Sequence, residues 1–200
     1  MSNKNPYKKA DSFTKAAKAQ GYPARSVFKL IEIDRRTKIL RTGQRILDLG
    51  AAPGSWSKYA AERTGPKGRV VAIDLSEISA AMPAWVERIT GDVFALPLEE
   101  IGGAGPYDVV LSDMAPATTG TRFADQARSF ELFMRALEIA EKVVATGGAF
   151  TGKIFMGEDF PKARERVRAA FSEVRVIRPE ATRSQSYEVF LVGLGRKPAP

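Results

Sequence analysis

Apolar positions along this chain recur in two rhythms. Short continuous apolar runs that end in glycine, proline or aspartate read as strands buried on both faces, and stretches where apolar residues return every three or four positions read as amphipathic helices. Asp11 to Ala19 has the helical rhythm and is stopped by Gly21 and Pro23. A longer helix is expected from about Arg25 to Leu40, with Val27, Phe28, Leu30 and Ile31 on its apolar side and Arg25, Lys29, Glu32 and Arg36 on the other. On that wheel Lys29 is a solvated lysine. Arg45 to Leu49 then predicts a buried strand, Gly50 to Gly54 a glycine-rich turn, and Trp56 to Glu62 the start of a helix. Further strands are expected at Arg69–Asp74, at Trp85–Ile89 before Gly91-Asp92, and at Tyr107–Met114, which stops at Asp113-Met114-Ala115-Pro116. Gly102 to Pro106 and Thr118 to Thr121 read as loops. Phe123 to about Ala145 carries a long amphipathic helix through Phe130, Phe133, Leu137 and Ala140, which Gly147-Gly148 is expected to end.

A fifth strand follows at Ala149–Ile154, then a basic helix at Glu158–Phe171, then strands at Val174–Ile177 and Tyr187–Leu194. Only the loop Arg178 to Ser186 separates those last two strands, so they predict an antiparallel hairpin at the sheet edge. The strand-helix alternation before them predicts a Rossmann-like α/β fold: a seven-stranded, mostly parallel sheet with helices on both faces. No internal repeat is visible.

Two hundred residues, 44% of them hydrophobic, suffice for one compact domain. The expected organisation is a basic arm and short helix over residues 1–24, one domain over 25–195 and a tail over 196–200. The lysine-rich start is not followed by an apolar signal core, and no run of apolar residues is long enough to span a bilayer, so a cytoplasmic protein without a membrane partner is expected. Cysteine and histidine are both absent. That removes disulfides, thiolate zinc sites, cysteine nucleophiles and Ser-His-Asp or HExxH chemistry, and leaves carboxylates, lysine and tyrosine as candidate bases.

The net charge of +8 is unevenly placed. Residues 1–45 hold 12 Lys/Arg against 3 Asp/Glu, residues 46–159 hold 10 against 16, and residues 160–200 hold 9 against 4. Basic residues concentrated at both ends suggest a polyanionic partner, because each phosphate neutralised by lysine or arginine releases counterions. Candidate contacts are the arm with Lys4, Lys8 and Lys9, then Lys15, Lys18, Arg25 and Arg36, and the helix bearing Lys162, Arg164, Arg166 and Arg168.

The turn Gly50-Ala51-Ala52-Pro53-Gly54 is a candidate cofactor floor, since glycine allows close backbone approach and positive φ. It is neither GxGxxG nor a P-loop, which disfavours a pyrophosphate-bearing cofactor and leaves a nucleoside-type one. Asp74 ends the next strand where related folds hold a ribose diol, and Asp92 is a further strand-end carboxylate. Lys153 sits inside an apolar strand, a costly position unless paired or functional. Gly50–Gly54, Asp74, Asp92, Asp113 and Lys153 all fall at carboxyl ends of predicted strands, the edge at which open parallel sheets bind ligands.

Five stretches extend the pattern: Arg25-Ser26-Val27-Phe28-Lys29-Leu30, Asp48 to Gly54 with Trp56-Ser57, Ser112 to Pro116, Lys153 to Glu158, and Arg183-Ser184 with Ser186 and Glu188-Val189. With them the chain, from about Arg25 to Lys197, resembles the bacterial FtsJ/RrmJ (RlmE-like) family of S-adenosylmethionine-dependent 2'-O-ribose methyltransferases of ribosomal RNA. The resemblance implies a catalytic tetrad of Lys29, Asp113, Lys153 and Glu188. It also implies cofactor contacts from Gly50, Gly54, Trp56, Asp74, Asp92 and Asp113, and no metal. It implies a monomer acting on 23S RNA, at a uridine of the peptidyl-transferase A-loop, within the maturing or assembled large subunit. Two positions depart from the pattern: Ser55 stands where a second glycine is usual, and Ala95 where an acidic residue is common.

Within that reading Lys153 is the expected base, which requires partial burial and a neighbouring cation, supplied by Lys29. A Lys153 that keeps its proton would instead steer the hydroxyl and stabilise the developing alkoxide. Asp113 is expected to orient Lys153, and Glu188 to hold Lys29 or the ribose. The alternatives are the same chemistry on transfer RNA or an mRNA cap, an RNA-binding ribosome-assembly factor without catalysis, and a small-molecule methyltransferase, which would have no use for so basic an N-terminus.

Overall fold

The computed structural model describes residues 6–102 and 105–198. Seven strands form one sheet in the order β3-β2-β1-β4-β5-β7-β6. They are β1 (Arg45–Leu49), β2 (Arg69–Asp74), β3 (Val86–Thr90), β4 (Tyr107–Ser112), β5 (Val144–Phe155), β6 (Phe171–Ile177) and β7 (Glu188–Arg196). The first five pair in parallel, and β7 inserts antiparallel between β5 and β6, which is the expected terminal hairpin. Strand order reverses between β1 and β4, creating the crevice where open α/β sheets take ligands.

Helices α1 (Pro6–Ala19), α2 (Val27–Thr37) and α3 (Ser55–Thr64) precede or follow β1, and α4 (Leu98–Gly102), α5 (Arg122–Val143) and α6 (Phe160–Ala170) lie between later strands. Side-chain alternation along each strand sorts the core into two layers. Ile46, Val70, Val109, Leu111, Phe190 and Val192 pack with Leu30 and Ile33 of α2 and Trp56, Ala60 and Ala61 of α3. Leu47, Leu49, Val71, Val110, Phe150 and Leu191 pack on the opposite face with α5 and with Ala163 and Val167 of α6.

Several boundaries differ from the sequence expectation. The first helix begins at Pro6 rather than Asp11, so part of the expected arm is helical; its first five residues lie outside the described ones. The helix docks through buried Ala17 and through Phe13, whose ring centroid is 5.5 Å from that of Phe28. On α2 the buried stripe is Val27, Leu30, Ile33 and Asp34, while Phe28 and Ile31 are partly buried and face α1. Gly147-Gly148 does not end α5, which stops at Val143; the pair lies within β5. There Gly147 takes φ +83°, the register against β4 shifts between Tyr107 and Val109, and a Cβ on Gly148 would stand 2.6 Å from the Asp108 carbonyl oxygen. A close crossing of two backbones demanded glycine there, with no helix end involved.

Candidate active site

Strand parity determines which face each functional side chain joins. Val109, Leu111 and then Asp113 at the end of β4, Ala149, Thr151 and Lys153 along β5, and Val192, Phe190 and Glu188 along β7 share one set of alternate positions. The apolar members of that set pack against α2 and α3, so Asp113, Lys153 and Glu188 point to the face that carries Lys29. The Lys153 amine donates to the Asp113 carboxylate at 2.9 Å and to the Asp113 carbonyl oxygen at 2.6 Å. Lys29 lies 2.6 Å from Glu188 Oε1 and 3.7 Å from the same Asp113 oxygen, Oδ1, that Lys153 holds. The Thr182 hydroxyl donates to Glu188 Oε1 at 3.3 Å.

All four expected tetrad residues therefore meet. The side chains of Lys29, Asp113, Lys153 and Glu188 are only 12, 15, 5 and 12% exposed, so their attraction acts with little screening. Lys29 is the correction to the helical wheel: it leaves the core stripe of α2 yet is mostly buried, because the end of β4 and the start of β7 bring two carboxylates over it. Burial pulls its pKa down, but the charges of Asp113 and Glu188 and the hydrogen bond to Glu188 outweigh burial and the repulsion of Arg25, and leave it raised. Lys29 is thus a fixed cation.

The glycine turn meets the site at the switch point. Gly50 takes φ +77°, and a Cβ there would lie 2.5 Å from the Met114 side chain next to Asp113. Gly54 takes φ +112°, and its Cβ would lie 2.6 Å from Met82 and 2.8 Å from Ala80. Asp74 holds the floor in shape, accepting from the Ala52 amide at 2.9 Å and the Ser76 amide at 2.8 Å. Asp92 accepts from the Phe94 amide at 2.9 Å. Trp56 is buried: its indole donates to the Ser26 carbonyl at 2.8 Å and packs on Phe190 at 5.6 Å, so its side chain anchors α2 rather than lining the crevice. Ser55, the departure from the family pattern, also turns away. It accepts from the Ala24 amide at 2.8 Å and ties the segment before α2 to α3.

Three features had no role in the sequence reading. Leu75 and Phe94, directly after the β2 carboxylate and near the β3 carboxylate, are 71 and 53% exposed, unusual for large apolar residues beside a crevice. Hydropathy alone carried no sign of this, since Leu75 closely follows the apolar run of β2 and Phe94 lies in the apolar stretch Val93-Phe94-Ala95-Leu96. Asp48 is completely buried beneath the turn; Ser57 donates to its Oδ2 at 2.5 Å while Oδ1 has no hydrogen-bond partner among the described residues.

A parallel sheet with this switch point, a glycine turn without a phosphate cradle and a lysine-aspartate centre at the carboxyl edge define the Rossmann-like methyltransferase class. The FtsJ-like methyltransferase model matches residues 22–196, and the chain belongs to that family. It is 64% identical over 196 residues, 98% of this chain and 92% of the relative, to ribosomal RNA large subunit methyltransferase E of Sorangium cellulosum. It is 50% identical over 191 residues, 92% of each chain, to the protein of the same name from Nitratidesulfovibrio vulgaris. Among solved structures it superposes on a ribosomal RNA methyltransferase of Plasmodium falciparum with a TM-score of 0.78 and 26% identity, over 89% of this chain and all of that one. Aeropyrum pernix fibrillarin, solved with bound S-adenosylmethionine, shares the fold at a TM-score of 0.59 and 14% identity, over 78% of this chain and 68% of that one.

The methyl donor of this class is S-adenosylmethionine, and the crevice has the chemistry to accept it. A Cβ would obstruct the floor at Gly50 and Gly54, carboxylates stand at the ends of β2 and β3, and the exposed apolar residues Leu75 and Phe94 follow those carboxylates in the chain, apolar surface of the kind a purine ring uses.

Proposed function

We propose that the chain methylates a ribose 2'-hydroxyl of large-subunit ribosomal RNA, at a uridine of the 23S peptidyl-transferase A-loop. It does so as a cytoplasmic monomer acting on the maturing or assembled subunit, with residues 25–195 as the catalytic unit and residues 1–24 as an RNA-facing extension. The observation that carries the reading is the shared oxygen: Asp113 Oδ1 joins Lys153 to Lys29, and Glu188 clamps Lys29, at the edge where the glycine turn ends. The names of the two relatives above support the choice of RNA.

S-adenosylmethionine, when bound, would supply a methyl group on a sulfonium. Gly50 and Gly54 would let the backbone come close to it, Asp74 and Asp92 would hold its nucleoside part with Leu75 and Phe94 as nearby apolar surface, and the first-turn amide of Trp56 would serve its polar end. Lys153 would take the proton of the 2'-hydroxyl as that oxygen attacks the methyl group, the C–S bond breaking to leave a neutral thioether. Asp113 fixes the Lys153 amine by two acceptors, so the nitrogen is aimed rather than free to rotate. Lys29, held as an ammonium by Glu188 and Asp113, stabilises the developing alkoxide.

The test pairs single-turnover methylation of ribosomal RNA with calorimetry for the cofactor. Lys153→Ala should lose turnover by a factor of about 100 or more, the usual worth of a positioned base, with cofactor affinity retained. Near-normal turnover in that variant removes the assignment. Mapping ribose methylation in RNA from cells with and without the protein decides the nucleotide.

A further inference from the structure

Around the rim from the tetrad, the end of β5 and the first turns of α5 enclose a solvent-open hollow of about 330 Å³. Its walls include Ile154 and Phe155, the two residues after Lys153, with Phe123, Gln126 and Phe130 from α5 and Phe160 from α6. Phe123 is 70% exposed and Met156, next to the hollow, is 43% exposed, although both are large and apolar. The wall is rigid: the Gln126 side-chain amide donates to the Met156 carbonyl, and a Cβ on Gly157 would lie 2.8 Å from the Gln126 amide carbon. The Phe155 ring abuts Tyr187 at 4.9 Å, and Phe155 pairs with Glu188 across β5 and β7, so this wall and the tetrad share the same backbone.

The charges select the occupant. The polar side chains around the hollow are Gln126, whose amide nitrogen is committed to the Met156 carbonyl, and the carboxylate-bearing Glu158 and Asp159, a set that favours N–H edges over phosphate. Cations stand at its margins: the Arg122 guanidinium lies 5.2 Å from the Tyr187 ring centroid, and the Lys162 amine 5.4 Å from that of Phe130. Aromatic walls with acceptors inside and cations at the rim match a nucleobase entering with its phosphates left outside.

We infer that this hollow receives an unstacked base of the RNA adjoining the methylated nucleotide, with Phe123 as its stacking platform. The inference rests on the RNA methyltransferase reading above. To reach the tetrad a ribose must leave its helical stack, which frees its neighbour to cross the rim, and RNA bases freed in this way stack on exposed aromatic side chains. The tetrad faces α2 while the hollow lies toward α5 and α6, so the strand would fold over the carboxyl edge between the two faces.

The test is steady-state methylation of naked large-subunit RNA and of the subunit by wild type, Phe123→Ala and Phe123→Trp. Phe123→Ala should raise the KM for RNA by about tenfold, a stacked base being worth about that much, with kcat and calorimetric cofactor affinity unchanged, and Phe123→Trp should restore KM. An abasic nucleotide introduced singly on each side of the target should weaken wild type at one position and leave Phe123→Ala indifferent there. Equal KM values for wild type and Phe123→Ala, or an abasic penalty undiminished in Phe123→Ala, overturn the inference. A Phe123→Ala defect on the subunit but not on naked RNA also overturns it, since the occupant is then a protein. Failure of wild type to methylate either RNA would instead strike the underlying reading.

Discussion

Asp48 is the residue whose charge the fold most resists. Complete burial pushes its carboxyl up to about 7; the Ser57 hydroxyl works against that rise, while the nearby charges of Asp113 and Asp74 reinforce it. An unfolded aspartate releases its proton near 3.9. The proton held in the fold therefore stabilises fully below about pH 4, and that contribution, on the order of 4 kcal/mol, is lost as pH rises to about 7. Asp48→Asn should flatten this component. In urea unfolding, the variant's stability relative to wild type should grow between pH 5 and pH 8, and a constant difference across that range would contradict a raised Asp48. Lys29 teaches the complementary lesson. Its helix periodicity marked it as solvent-facing, and only the arrival of Asp113 and Glu188 from elements distant in the chain turns it into a clamped cation.

Among the elements, the β1–α3 turn takes the positive φ that its glycines allow. Gly54→Ala would meet both strain at φ +112° and contact with Met82 and Ala80, and should weaken cofactor binding by about tenfold or more in calorimetry. Gly43 is the comparison: its φ is +83° but nothing lies within 4 Å of a Cβ, so Gly43→Ala should cost about 1 kcal/mol of stability and leave cofactor affinity unchanged. Retained affinity in Gly54→Ala would mean the turn is not the floor. The α6 basic run was legible as a helix but not as a free cationic face. Arg166 is paired bidentately with Glu141 at 2.8 and 2.6 Å, and Lys162 covers Phe130. What their neighbours on α5 would take from them was invisible in the α6 sequence.

Across the whole molecule, the two basic ends of the chain flank opposite faces of the sheet. Exposed Lys15 and Lys18 lie on α1, which packs on α2, while α6 with exposed Arg168 packs on the other layer. An RNA held by both must straddle the carboxyl edge where the tetrad lies. Neutralising Lys18 or Arg168 should each lower the slope of log affinity against log salt by about 1, whereas Arg166→Gln should change it less, its charge being already matched. Equal effects for Arg166 and Arg168 would contradict this division of the surface. Among the described residues no helix is long and apolar enough to cross a membrane.

Local physics sufficed for much of this molecule. β1 and β2 have the predicted bounds, the terminal hairpin is where adjacent strands without a helix required it, and the glycine turn and strand-end carboxylates announced a ligand edge. Those features depend on periodicity and backbone freedom, which neighbouring residues determine. The fold alone decided that Lys29 is buried, that Trp56 and Ser55 turn inward to tether α2, and that Gly147-Gly148 serve a strand crossing. It alone left Leu75, Phe94 and Phe123 exposed. Burial and charge pairing are sums over residues far apart in the chain, so they come into being only when the sheet has assembled.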